Sequence, residues 1–206
     1  PFSHTFGGKA LAAAHQIFDD FTRRYDKPAF GLDQTEIDGS TAAVRQVTVS
    51  EKPFCDLVHF ERDPTAVGKR KEPRLLVVAP VSGHYATLLR GTIETLIQDH
   101  EVYVTDWKNA RDVPTDAGIF DLDDYVDYLI EFLSELGTGV HVLGVCQPGV
   151  PIMTAVSLMA EDNHPATPAS MTLMGSPIDT RISPTQPNDY AMSHPLSWFE
   201  RHAIMQ

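Results

Sequence analysis

The sequence predicts an α/β fold, a mostly parallel sheet with helices on both faces. Three observations carry this. Short apolar runs rich in β-branched residues recur at "LLVVAP" (75–80), "EVYVTDW" (101–107) and "GVHVLGV" (139–145). A helix-like stretch follows each of them. Strands that alternate with helices need crossover connections, and crossovers make neighbouring strands parallel.

Residues 1–7 read as a loose end. From Gly8 to Tyr25 the spacing is helical, with Leu11, Ala14, Phe18, Phe21 and Tyr25 at steps of three or four. Pro28, Gly31, Asp38 and Gly39 then break the pattern. Two strands, "AVRQVTVS" (43–50) and "FCDLVHFER" (54–62), form a hairpin or meander through Glu51-Lys52-Pro53. Residues 63–74 are a polar linker with two prolines.

The run at 75–80 suits a strand buried on both faces. A helix over 86–100, a strand over 101–107 and a loop over 108–118 follow. "FDLDDYVDYLIEFLSEL" (120–136) predicts an amphipathic helix closed by Gly137. Asp121, Asp123 and Asp124 sit at its start, where negative charge suits the helix dipole and solvent. A strand over 139–145, a helix over 149–162 and a strand over 168–177 complete the rhythm. Beyond Pro177 come Pro184, Pro187 and Pro195, then "PLSWFERHAIMQ". The expected organisation is an N-terminal segment (1–42), the first part of an α/β core (43–179), and the start of an excursion from the sheet (180–206).

Composition narrows the function classes. Of 206 residues, 42% are hydrophobic and 21% charged, as in an ordinary globular chain. The net charge of −12 argues against nucleic acid and anionic membrane surfaces as partners. No apolar run approaches the roughly 18–20 residues of a spanning helix. The two cysteines, Cys55 and Cys146, are too few for a disulfide scaffold and suggest reduced thiols in a cytoplasmic protein. The first residue is Pro1, so the N-terminus is expected to be incomplete. No histidine–carboxylate cluster has metal-ligand spacing, and neither a metal nor a cofactor is expected.

Chemistry concentrates in "HVLGVCQPGV" (141–150). Cys146 lies after a buried strand and before a helix, at the carboxyl edge where α/β sheets place reactive groups. The order strand, Gly-x-Cys-x-x-Gly, helix is that of a nucleophile elbow. Gly144 supplies the small neighbour that a strained turn requires. Pro148 stands where a second glycine is usual, and Gly149 comes one residue late. A helix N-terminus stabilises negative charge, and the N–H of Gln147 can face a developing oxyanion. A second donor is expected in "APVSGHYA" (79–86), at Val81 or Ser82. The alternative is a packed small hydrophobe, the usual state of a strand cysteine. A dinucleotide fingerprint fails because Cys146 replaces its middle glycine, and a phosphate loop fails for want of Lys-Ser/Thr.

The segments "EKPFC" (51–55), "APVSGHYATLLRGTIETL" (79–96), "VYVTDWKNARDVP" (102–114), "HVLGVCQPGVP" (141–151) and "MGSPIDTRISPT" (174–185) carry a resemblance. Together with "FDLDDYVDYLIEFL" (120–133), they resemble the intracellular polyhydroxyalkanoate (polyhydroxybutyrate) depolymerases, from about residue 8 to 206. That family belongs to the α/β-hydrolases. The resemblance implies that Cys146 attacks ester bonds of a storage polyester at cytoplasmic granules and forms an acyl-thioester. It implies that 180–206 begins a cap. It also implies that the triad acid and histidine lie on later strands, before which this chain stops. Related synthases, which are acyltransferases, also use a cysteine at this turn. A granule-binding module without catalysis is the third reading.

Other residues have two readings each. His84 lies in the expected oxyanion loop and orients substrate or bonds the backbone. Trp107 lines an apolar cleft or packs beneath the cap. Asp106 and Asp179 end or follow strands and are weak candidates for an acid, since a triad acid needs a histidine to orient. Cys55 reads as a strand side chain.

Overall fold

The computed structural model describes residues 5–23, 26–81 and 85–203. Seven strands form one sheet in the order β1-β2-β3-β5-β4-β6-β7. They are β1 (Gln34–Ile37), β2 (Ser40–Glu51), β3 (Cys55–Arg62), β4 (Arg74–Val78), β5 (Glu101–Trp107), β6 (Val140–Val145) and β7 (Ser170–Met174). β1, β2, β3 and β5 pair antiparallel. β5, β4, β6 and β7 pair parallel.

The helices are α1 (Phe6–Thr22), α2 (Pro64–Val67), α3 (Arg90–Leu96), α4 (Leu122–Leu136), α5 (Gly149–Glu161), α6 (Gln186–Met192) and α7 (Leu196–His202). A 3-10 turn, Ala86–Leu89, leads into α3. The chain goes from β4 to β5 in one direction and from β5 back across β4 to β6 in the other. Right-handed crossovers therefore put α3 on one face and α4 and α5 on the opposite one. α4 and α5 pack on each other, as that placement requires.

Two features differ from expectation. β1 was not foreseen. It joins β2 through Asp38-Gly39, both at positive φ (51° and 76°), the two-residue turn whose twist matches a hairpin. The sequence signal was present in Asp-Gly, but β1 is only 4 residues long and carries little apolar pattern. The polar linker over 63–74 contains α2, capped by the Asp63 carboxylate accepting from the Thr65 N–H at 2.9 Å.

The acidic start of α4 is a cap as well as a charge. Asp121 accepts from the amides of Asp123 and Asp124, and Asp124 accepts from the amide of Asp121. This reciprocal box satisfies orphan donors of the first turn. Below it, Tyr125, Val126, Leu129, Phe132, Leu133 and Leu136 are buried at helical spacing. Each such large side chain contributes roughly 1.5–3 kcal/mol when fully buried.

The core runs along β3, β4 and β5. Four of the five β4 residues are fully covered, as for a strand sandwiched between helices. β6 alternates buried with half-buried residues instead. β7 is open: Met171 and Met174 are 39% and 47% exposed. Among the described residues no strand pairs with its outer side. No helix of the described residues is long and apolar enough to cross a membrane.

Candidate active site

β4, β5, β6 and β7 are parallel, so their carboxyl ends share one edge of the sheet. Val81, Trp107, Cys146 and Ser176 all lie at that edge. Cys146 follows β6 directly and has φ of +68°, a left-handed backbone that costs a non-glycine residue about 1–2 kcal/mol. Its thiol-bearing residue is exposed. The Cys146 N–H donates to Met174 O at 2.8 Å, and Gly149 N–H donates back to Cys146 O at 3.4 Å. Pro148 (φ −69°, ψ 0°) caps α5, where its missing N–H leaves no donor unmet.

The glycines explain how the turn fits. A Cβ on Gly144 would collide with Ile152 Cδ1. A Cβ on Gly149 would collide with Ser176 Cβ and stand 2.6 Å from Ser176 Oγ and 2.9 Å from Ile178 Cδ1. The small residue after Cys146 thus sits at Gly149, where α5 crosses the chain leaving β7. Pro148 is tolerated because it is at the cap, before that crossing. The fold is an α/β-hydrolase core. The sheet order, the crossovers and a residue at positive φ between β6 and α5 fit that arrangement.

The remaining candidates are placed as follows. Gln147, next in the turn, is exposed. Val81 is half-buried in the loop after β4. Ser82 and His84 lie outside the described residues. Trp107 is 3% exposed; its indole N–H donates to Ala79 O at 3.0 Å, and its ring packs against Tyr125 and Phe120. Asp106 is buried beside it and forms an ion pair with Lys27. Asp179 is bound by the Arg181 guanidinium through two bonds of 2.8 Å, which holds its carboxyl below the usual range. Cys55 is fully buried and directly opposite Trp107. Burial pushes the Cys55 thiol well up, and the nearby negative charges of Asp106 and Asp56 add to this. Among the described residues no group of three or more His, Cys, Asp and Glu could hold a metal ion.

Two elements of this edge were not foreseen: the Lys27–Asp106 pair and the close approach of Ser176 to Gly149. Each joins residues far apart in sequence, 79 positions for the ion pair. No local pattern encodes such a meeting.

No protein-family model matches the chain, and no curated protein matches it. Solved structures do. One is naproxen esterase (carboxylesterase NP) from Bacillus subtilis, at 16% identity over 73% of this chain and 48% of that one, with a TM-score of 0.47. Another is a bacterial heroin esterase, at 15% identity over 88% and 55%, TM-score 0.45. A third is an esterase/lipase from an uncultured bacterium, at 16% identity over 93% and 66%, TM-score 0.46. The chain spans about half the length of the naproxen and heroin esterases.

Proposed function

We propose that this chain carries the nucleophile of a thiol-dependent ester hydrolase acting on the polyester of cytoplasmic polyhydroxybutyrate granules. The observation that carries the reading is Cys146 itself, exposed and held at φ +68° between β6 and α5. A buried structural thiol needs neither the strain nor the exposure, and Cys55 has neither. The choice of a polyester rests on the resemblance of the segments around 51–55, 79–114 and 141–151.

In the reaction, Cys146 Sγ, as thiolate, bonds to the ester carbonyl carbon. The carbonyl oxygen takes the negative charge and is met by the Gln147 N–H and a donor from the loop after β4, at Val81 or Ser82. The C–O bond then breaks. The hydroxyl end of the chain leaves with a proton, and a thioester remains on Cys146. Water adds to the thioester carbonyl, the C–S bond breaks, and the hydroxyacid leaves with the thiolate restored. The proton transfers need a histidine oriented by an acid. The resemblance places that acid and histidine on later strands, and Asp106 and Asp179 are each held by a cation instead. Residues 180–206, with α6 and α7, are assigned to the start of a cap.

The test is hydroxybutyrate release from amorphous granules by the full-length protein and by Cys146→Ala. Release by the parent and loss of at least about 1000-fold in the variant is expected. Equal rates in both would remove Cys146 from the mechanism. Coenzyme A release with polymer growth from hydroxybutyryl-coenzyme A would instead make the chain a synthase. Granule binding with no turnover of either substrate would make it a binding module.

A further inference from the structure

A cleft of about 1270 Å³ opens on the β3–β5 side of the catalytic edge. It exceeds the roughly 300–1,000 Å³ usual for small-molecule pockets, so it suits an extended chain better than a compact molecule. Its apolar wall is built from Phe54, Val81, Leu88, Trp107 and Phe120. Trp107 presents only ring to it, because its N–H is already bonded to Ala79 O.

Four basic residues, Arg23, Arg90, Lys108 and Arg111, also line the cleft, and their charge alone favours an anion. Each already donates elsewhere. Arg23 pairs with Asp19, and Arg90 bonds Glu94, Phe30 O and Gly31 O. Lys108 pairs with Asp56 at 2.8 Å and bonds Lys52 O, and Arg111 reaches Phe21 O at 3.5 Å. Asp20, Asp26 and Asp112 stand on the same lining. A phosphate or carboxylate entering here would meet these carboxylates, with Arg23, Arg90 and Lys108 already paired to carboxylates of the protein.

The cleft is also placed for substrate. β4 and β6 are hydrogen-bonded neighbours, with Val78 opposite Gly144. Val81 lies three residues beyond Val78, and Cys146 two beyond Gly144. At the Val78–Gly144 pair, about 4.8 Å separates the chain that leads to the cleft from the chain that leads to the thiol.

We propose that this cleft binds an uncharged, apolar ester chain, the part of the substrate remote from the bond that Cys146 attacks, and that it excludes chains ending in a free carboxylate or a phosphate. The proposal rests on the hydrolase reading for its substrate class, and its test is independent of turnover.

Calorimetric binding to the full-length Cys146→Ala protein decides it. The probes are a hydroxybutyrate tetramer capped as its methyl ester, and the same tetramer with a free carboxylate. The capped tetramer is expected to bind at least about 10-fold more tightly than the free acid. Leu88→Glu, which adds a charge at an exposed wall position, is expected to weaken the capped tetramer at least about 10-fold. Leu88→Trp, which fills the cleft without charge, is expected to do the same. Equal binding of the two tetramers, no binding of either, or indifference to both Leu88 substitutions would overturn the proposal. Binding as expected by a protein whose unsubstituted form hydrolyses no ester would overturn the hydrolase reading alone.

Discussion

The amide of Cys146 donates to the carbonyl of Met174 at 2.8 Å, extending the β6–β7 ladder one step past the last strand pair, Val145 with Met174. The neighbouring strand thereby holds the Cys146 backbone where an L-residue resists being. Glycine alone escapes that penalty, of about 1–2 kcal/mol, though it costs roughly 0.5–1 kcal/mol in chain entropy. Cys146→Gly is therefore expected to be more stable than Cys146→Ala, by up to about 1 kcal/mol in urea unfolding. Greater stability of the alanine variant would show that the turn is not strained.

Gly149 and Gly144 are not equivalent. The atoms facing a Cβ at Gly149 include Ser176 Cβ, one bond from backbone, whereas those at Gly144 are side-chain tips. Gly149→Ala should cost about 1–3 kcal/mol, the range for overpacking, and Gly144→Ala distinctly less. Denaturant midpoints of the two variants check the order. The reverse order would move the tight crossing from α5–β7 to the strand itself.

The two thiols should separate cleanly under alkylation. Cys146 is exposed, whereas Cys55 is fully buried and its thiol is pushed up by burial. Iodoacetamide at pH 8 is expected to add one equivalent to the native chain and two after denaturation, with native label on Cys146 by peptide mass. Native label on Cys55 would contradict its packing opposite Trp107.

His59 is expected to make the fold acid-sensitive. It stacks on Tyr103 with ring centroids 4.3 Å apart. Burial lowers its pKa, the Arg62 charge adds to this, and Glu101 and Glu61 oppose it. A depressed folded value means that the unfolded chain takes up the proton first as pH falls. The associated stability is complete above the unfolded value of about 6.5 and is lost as pH drops through the folded one. His59→Phe keeps the stack and removes the titration. Its melting temperature should fall less between pH 7 and pH 5 than that of the unsubstituted chain. Parallel curves would assign the acid sensitivity to other groups.

Much of this was legible in residues 75–177. Every strand and main helix there was anticipated within a few residues, because apolar runs, the Asp121 cap and Gly137 are local signals with local causes. The position of Cys146 was legible for the same reason: a strand, a turn and a helix are contiguous in sequence. The hairpin at Asp38-Gly39 was missed because β1, 4 residues long, has little apolar pattern to read.

The sequence by itself determined the alternation of strands and helices and the delivery of one thiol to a helix start. Both follow from short-range periodicity and turn chemistry. Only the tertiary structure decided that Cys146 sits at positive φ, that Ser176 leaves no room for a side chain at Gly149, that Lys27 pairs with Asp106, and that Leu88, Trp107 and Phe120 line a cleft. These relations are made by strand order and crossovers, which bring together residues tens of positions apart and leave no mark in the spacing of either one.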